Sequence, residues 1–181
     1  MGRQTSFFLI WRTVMGGRVK DTIKEWLFSL FQAAIILLVL FVFLWPAKIE
    51  GQSMLPAVKD GDRVAISRFA GMRRMYDRGD LVVFNVSGYE ENMIKRVIAK
   101  EGDTLEIKDG AVYVNGTVLD DGIDFTDGEE RLTVPEGCVY VMGDNRQKST
   151  DSRHFGAVDE DDIYGKVILR FYPIDSIVIF D

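Results

Sequence analysis

Ser53 lies in the stretch Gly51-Gln52-Ser53-Met54-Leu55-Pro56, just beyond a membrane-length apolar run. A serine hydroxyl is a poor nucleophile until a neighbouring base removes its proton. The chain has one histidine, His154, in a polar, loop-like stretch, so a Ser-His-Asp triad could use only that residue. His154 reads as a surface side chain or a supporting one, which leaves a lysine or a carboxylate as the base. Lys95 is the lysine to consider, because strand alternation puts it on one face with Met93 and Val97 and puts Arg96 on the other with Ile94 and Ile98. An ammonium among apolar neighbours is poorly solvated, which lowers its pKa and leaves a neutral amine able to take a proton near neutral pH. Periodicity alone leaves the alternative open, since a strand lysine more often lies at an edge or snorkels to water.

A third segment runs from Gly143 to Gly156 and packs Asp144, Asn145, Arg146, Lys148, Ser149, Asp151, Ser152 and Arg153 between two glycines. Such a loop can supply a hydroxyl to orient a lysine and a carboxylate–guanidinium network to keep itself rigid; a charged surface turn is the plainer reading. Cys138 is the only cysteine, so neither an intramolecular disulfide nor a cysteine-based zinc site can form, and it reads as a buried thiol in the apolar run to Met142. The acidic stretch from Asp120 to Arg131 lacks EF-hand spacing and reads as a solvated loop. No cofactor, metal or nucleotide motif is present.

The elements that position these residues follow from charge and patterning. Residues 1–26 carry a net charge of +3, which leaves −9 of the overall −6 for the remainder. A basic stub before an acidic body fits a membrane protein with a cytoplasmic amino terminus, and not a nucleic-acid binder. Residues 27–45 carry no charge and would span about 28 Å as a helix, close to the thickness of a hydrocarbon core. Trp26 and Trp45 bracket the run and Pro46 is placed to stop the helix; the run is longer than the apolar core of a cleaved signal and ends in bulky Phe43, Leu44 and Trp45, so an uncleaved anchor is expected. Residues 46–181 then lie outside the cytoplasm. They read as short strands at 63–66, 81–86, 93–98, 104–107, 111–114, 138–142, 166–172 and 176–180, with tight turns at Asp109-Gly110 and Asn115-Gly116. The expected fold is mostly β: a transmembrane helix, then an antiparallel, barrel-like β-domain with a small hairpin cap at about 104–137.

The separated motifs together resemble those of bacterial type I signal peptidases. They are the anchor, Ser53-Met54 with Pro56, Arg78 to Phe84, Lys95-Arg96 leading to Glu101-Gly102-Asp103, the Gly143–Gly156 loop, and Gly165-Lys166 leading to Tyr172-Pro173. The resemblance implies a membrane-bound serine endopeptidase that removes signal peptides from exported preproteins at Ala-x-Ala-type sites, with Ser53 as nucleophile and Lys95 as general base. It implies that Ser149 positions the lysine and that Arg96, Asp144, Arg146, Asp151 and Arg153 form a supporting network. Substrate would lie as an added strand between segments near Ile49–Met54 and Leu81–Phe84, with Ile49, Met54, Phe84 and Ile94 lining shallow pockets for small side chains. The implied partners are signal peptides and the lipid bilayer.

Two positions depart from the family pattern. Gly51 stands where the Gram-negative branch has a serine that donates to the oxyanion, which leaves the Ser53 backbone N–H as the one donor that can be named. Lys148 stands where asparagine is often found, so no role is transferred to it. The rival readings are a soluble, self-cleaving Ser-Lys protease of the repressor type, disfavoured by the anchor, and a catalytically silent β-domain, disfavoured by the intact Ser53, Lys95 and Ser149.

Overall fold

The computed structural model describes residues 22–38, 43–89, 91–120, 122–123 and 125–180. The chain divides into two compact units, Met1–Val42 and Phe43–Asp181. In the first, residues 22–38 form a helix, α1, whose large apolar side chains, among them Trp26, Phe28, Phe31 and Leu38, are exposed. The expected basic segment up to residue 21 lies outside the described residues, as do residues 39–42 of the expected span. Among the described residues no helix is long and apolar enough to cross a membrane.

The end of the expected anchor needs correction. Leu44–Lys48 is a strand, β1, paired antiparallel with β2, Arg63–Ser67. An apolar run does not by itself separate helix from strand. Pro46 does not end a helix here; it is tolerated in β1 because that strand is the sheet edge.

The second unit is built on an antiparallel sheet in the order β1-β2-β11-β3-β4-β9-β10, with β12 also on β11. Its further strands are β3 (Leu81–Phe84), β4 (Met93–Lys100), β9 (Cys138–Met142), β10 (Val158–Asp159), β11 (Ile163–Tyr172) and β12 (Val178–Ile179). One edge of β11 passes from β3 to β12 while the other follows β2 through two register shifts, and such bulges raise local twist and curl the sheet. β3 is central and buried throughout, with Leu81 and Val83 in one apolar cluster and Val82 and Phe84 in another. Alternation thus feeds two cores from one strand.

A second sheet, in the order β7-β6-β5-β8, occupies the interval expected to hold a small hairpin-based cap. It joins β5 (Thr104–Lys108), β6 (Ala111–Val114), β7 (Thr117–Val118) and β8 (Glu130–Thr133). Both expected tight turns are present, with positive φ at Asp109 and Gly110 and at Asn115 and Gly116, the geometry that Asp-Gly and Asn-Gly suit. Leu105, Ile107, Val112 and Val114 pack with Tyr140 and Met142 of β9 and with Ile98. Cys138 is only partly buried, at the rim of that cluster, because its side chain starts the strand.

A short helix, α2 (Arg68–Met72), is capped by the Ser67 hydroxyl, which accepts from the Ala70 N–H at 3.2 Å. It lies so close to β11 that a Cβ on Gly71 would sit 2.6 Å from Gly165 N and 2.7 Å from Gly165 Cα. Backbone cannot move aside as a side chain would, so Gly71→Ala is expected to destabilise the protein by about 3 kcal/mol. Thermal unfolding of the full chain in detergent checks this; an unchanged melting temperature would mean that the contact is not tight.

Candidate active site

Ser53 sits in a turn between β1 and β2 rather than on a strand. The approach to it is pinned, with the Ile49 N–H donating to the Asp62 carbonyl at 2.8 Å and the Gly51 N–H to Asp60 Oδ1 at 2.9 Å. Gly51 takes a φ of 93°, a conformation that side chains disfavour and glycine does not. Ile49 and Met54, on either side of the turn, are buried in the core beneath it.

Lys95 comes from β4, where the strand is half paired. Met93 to Arg96 face β3 in register, whereas β9 joins the opposite edge only from Arg96 onward. Among the described residues that leaves Met93, Ile94 and Lys95 with an unpaired strand edge. This edge and the segment from Lys48 to Met54 line one cleft of about 760 Å³, which also takes in Tyr89, Glu91 and Asn92. Lys95 is 5% exposed, and its Nζ lies 2.8 Å from Ser53 Oγ.

The expected pocket set is brought together only in part. Ile49, Met54 and Ile94 line the cleft, but Phe84 does not. Phe84 is fully buried in a core cluster and meets Phe155 edge-on, and β3 is paired along both edges, so it has no free side for an added strand. Alternation could not reveal this, because both faces of β3 are interior.

The loop from Gly143 to Gly156 closes the site from behind. Asp151 is wholly buried and accepts from the Gly143 N–H at 3.0 Å and from Arg153 at both carboxylate oxygens, at 2.8 and 2.9 Å. It also caps α3 (Ser152–Phe155), where His154 Nδ1 accepts from the Asp151 N–H, so the lone histidine is structural and more than half exposed. Arg146 donates from Nε to the Gly143 carbonyl at 3.0 Å and from a terminal nitrogen to Thr126 Oγ1, which ties the acidic loop to the site. Arg96 holds Asp144 with two bonds and also reaches the Gly79 carbonyl. All five residues expected in the charged network are therefore in contact with this loop or part of it.

Ser149 is buried, but the expected hydrogen bond from it to Lys95 is not made. Among the described residues its hydroxyl has no partner of ordinary geometry, although it lies near enough to Asp151 to help hold that acid ionised. Gly143 explains the packing: a Cβ there would collide with the Ser149 side chain and with the Ser53 carbonyl, so glycine lets the two serines share one crevice. Sequence reading missed Asn145, whose backbone N–H donates to the Ser53 carbonyl at 3.0 Å and whose Nδ2 donates to the Gln52 carbonyl at 3.1 Å. Next to a glycine and an aspartate it carries only the signature of a turn former.

Burial is the largest influence on Lys95 and lowers its pKa, against the opposing charges of Asp151 and Asp144. Those two acids spend their bonds on Arg153 and Arg96 instead. For Asp151, burial pushes the pKa up, but the Arg153 guanidinium and the Gly143 N–H outweigh it and hold the carboxyl below its usual range. Among the described residues no cluster of histidine, cysteine or acidic side chains could hold a metal ion.

A family described as signal peptidase, peptidase S26, matches residues 23–172 of this chain. Signal peptidase IB of Staphylococcus aureus (strain COL) is 36% identical over 180 residues, covering 87% of this chain and 94% of its own length. Signal peptidase I of Bacillus licheniformis is 33% identical over 175 residues, covering 87% of this chain and 93% of its own length. A crystal structure of a signal peptidase I from Enterococcus faecalis V583 is similar at 31% identity with a TM-score of 0.47, covering 50% of this chain and 95% of that one.

If neutral Lys95 serves Ser53, the rate must rise as pH passes the lysine pKa and the amine loses its proton. Asp144 favours the ammonium form, so Asp144→Asn is expected to lower that pKa and shift the acid limb of the pH–rate profile to lower pH. An acid limb that stays in place, with the fold intact by circular dichroism, would show that Asp144 does not act on Lys95.

Proposed function

From the premise that this chain belongs to the signal peptidase family, peptidase S26, and is a serine peptidase that removes signal peptides, we propose that Ser53 and Lys95 form its catalytic dyad. The observation that carries the reading is the 2.8 Å approach of a buried lysine amine to the Ser53 hydroxyl. Neutral Lys95 takes the Ser53 proton as Oγ attacks the scissile carbonyl, and the oxyanion is held by the Ser53 backbone N–H. When the C–N bond breaks, the Lys95 ammonium gives its proton to the leaving amine. Lys95 then takes a proton from the water whose oxygen attacks the acyl-enzyme, and gives that proton to Ser53 Oγ as the ester C–O bond breaks, which restores the free serine and the neutral amine. Ser149 makes no bond to Lys95 in the resting geometry; once Lys95 carries the Ser53 proton, its ammonium donates to the Ser149 hydroxyl.

The substrate enters as an extended strand along the unpaired edge of Met93 to Lys95, opposite Ile49 to Gly51. Ile49, Met54 and Ile94 give the cleft an apolar lining that rejects bulky side chains by overlap and favours Ala-x-Ala-type sites. The apolar run that begins at residue 27 holds the enzyme in the lipid bilayer with the catalytic unit outside the cytoplasm, so that enzyme and membrane-held signal peptide meet on one surface at raised effective concentration. The strand start at Leu44 shortens the helical part of that run from its carboxyl end.

Cleavage of a preprotein with an Ala-x-Ala site, in detergent or lipid, tests this. The full chain is expected to cut at that site, and Ser53→Ala and Lys95→Met are each expected to lose at least about 1,000-fold in rate, as when a nucleophile or its base is removed. Variants that cut as fast as the parent would rule out the dyad.

A further inference from the structure

The two bonds made by Asn145 straddle the nucleophile, one on the Ser53 carbonyl and one on the Gln52 carbonyl. The Gln52 carbonyl and the Ser53 N–H belong to one planar peptide unit and point in opposite directions. A donor that holds the oxygen therefore fixes where the N–H points. Accepting a hydrogen bond also polarises the amide, which makes its N–H a stronger donor in turn. The orientation of the Asn145 side chain is unambiguous, because only its NH2 end can meet a carbonyl.

We propose that Asn145 is a positioning residue for the oxyanion donor: through the Gln52 carbonyl it aims and polarises the Ser53 N–H toward the oxygen of the tetrahedral intermediate. The proposal rests on the reading of Ser53 as nucleophile. Asn145 is itself displayed from a fixed backbone, since its carbonyl accepts from the Lys148 N–H at 2.9 Å and Arg146 grips the Gly143 carbonyl two residues earlier at 3.0 Å. Because Asn145 acts on the peptide plane and not on the base, its effect belongs to the transition state, separate from substrate docking and from the protonation of Lys95.

The test uses the full chain in detergent, a fluorogenic peptide with alanine at −1 and −3, and the matching peptide aldehyde. Ser53 Oγ adds to the carbonyl carbon of the aldehyde and its proton passes to Lys95, so the adduct places an oxygen where the oxyanion forms. Asn145→Ala and the shape-matched Asn145→Leu both keep the backbone bond to Ser53, so a loop loosened by the smaller side chain is tested with the larger. In both, kcat is expected to fall by about 10- to 100-fold, somewhat less than the loss of a whole oxyanion donor. KM should stay within about threefold, the acid limb of the pH profile should not move, and aldehyde inhibition should weaken in step with kcat. Unchanged kinetics, a loss confined to KM, a displaced acid limb, or full affinity for the aldehyde would each overturn the proposal. Ser53→Ala separates the two levels. If it cleaves like the parent, the dyad reading fails; if it is inert while the Asn145 variants are fully active, only the role of Asn145 fails.

Discussion

The structure depends on keeping one amine out of water. A lysine on an ordinary surface is an ammonium and has no lone pair with which to take a proton; Lys95, 5% exposed and 2.8 Å from Ser53 Oγ, is held where the charged form is penalised. The penalty would be lost if solvent reached the amine, or if Asp144 or Asp151 turned to pair with it. Both acids are occupied, by Arg96 and by Arg153, so the nearest negative charges act on the lysine from a distance and leave burial dominant.

Holding that arrangement requires rigidity behind the site, and the loop from Gly143 to Gly156 supplies it. Asp151 joins the Gly143 N–H, the Arg153 guanidinium and the start of α3, and Arg146 extends the connection to Thr126 beside the second sheet. Breaking a buried pair such as Asp151–Arg153 by removing one partner costs about 3–5 kcal/mol, because the survivor keeps an uncompensated charge. The second sheet acts through the same contacts. It packs on β9, and β9 leads directly into Gly143.

Much of this is legible in the sequence where residue type alone restricts the conformation. Asp109-Gly110 and Asn115-Gly116 announce turns that few other pairs could form, and both are found. Residue type makes Ser53, Lys95 and the charged loop candidates but leaves a snorkelling lysine and a surface turn open; the resemblance of the separated motifs to bacterial type I signal peptidases is what singles them out. What stayed hidden depends on which side of an element is covered. Phe84 alternates as a pocket residue would, yet both faces of its strand are interior. Leu44 and Trp45 continue an apolar run but belong to an edge strand that depends on β2. The roles of Asn145 and Gly143 are set by contacts with a turn some ninety residues away, which no local pattern encodes.

Titration of Lys95 itself shows whether burial makes it a base. Lysine side chains labelled with 15N at Nζ and 13C at Cε, followed by NMR across pH in the full chain and in Lys95→Met, would read each amine separately. If burial makes Lys95 a base, one lysine, absent from the variant, titrates below the ordinary value of about 10.4. If every lysine, Lys95 included, titrates in the ordinary range, Lys95 is an ammonium at working pH, and the claim that burial makes it a base is wrong.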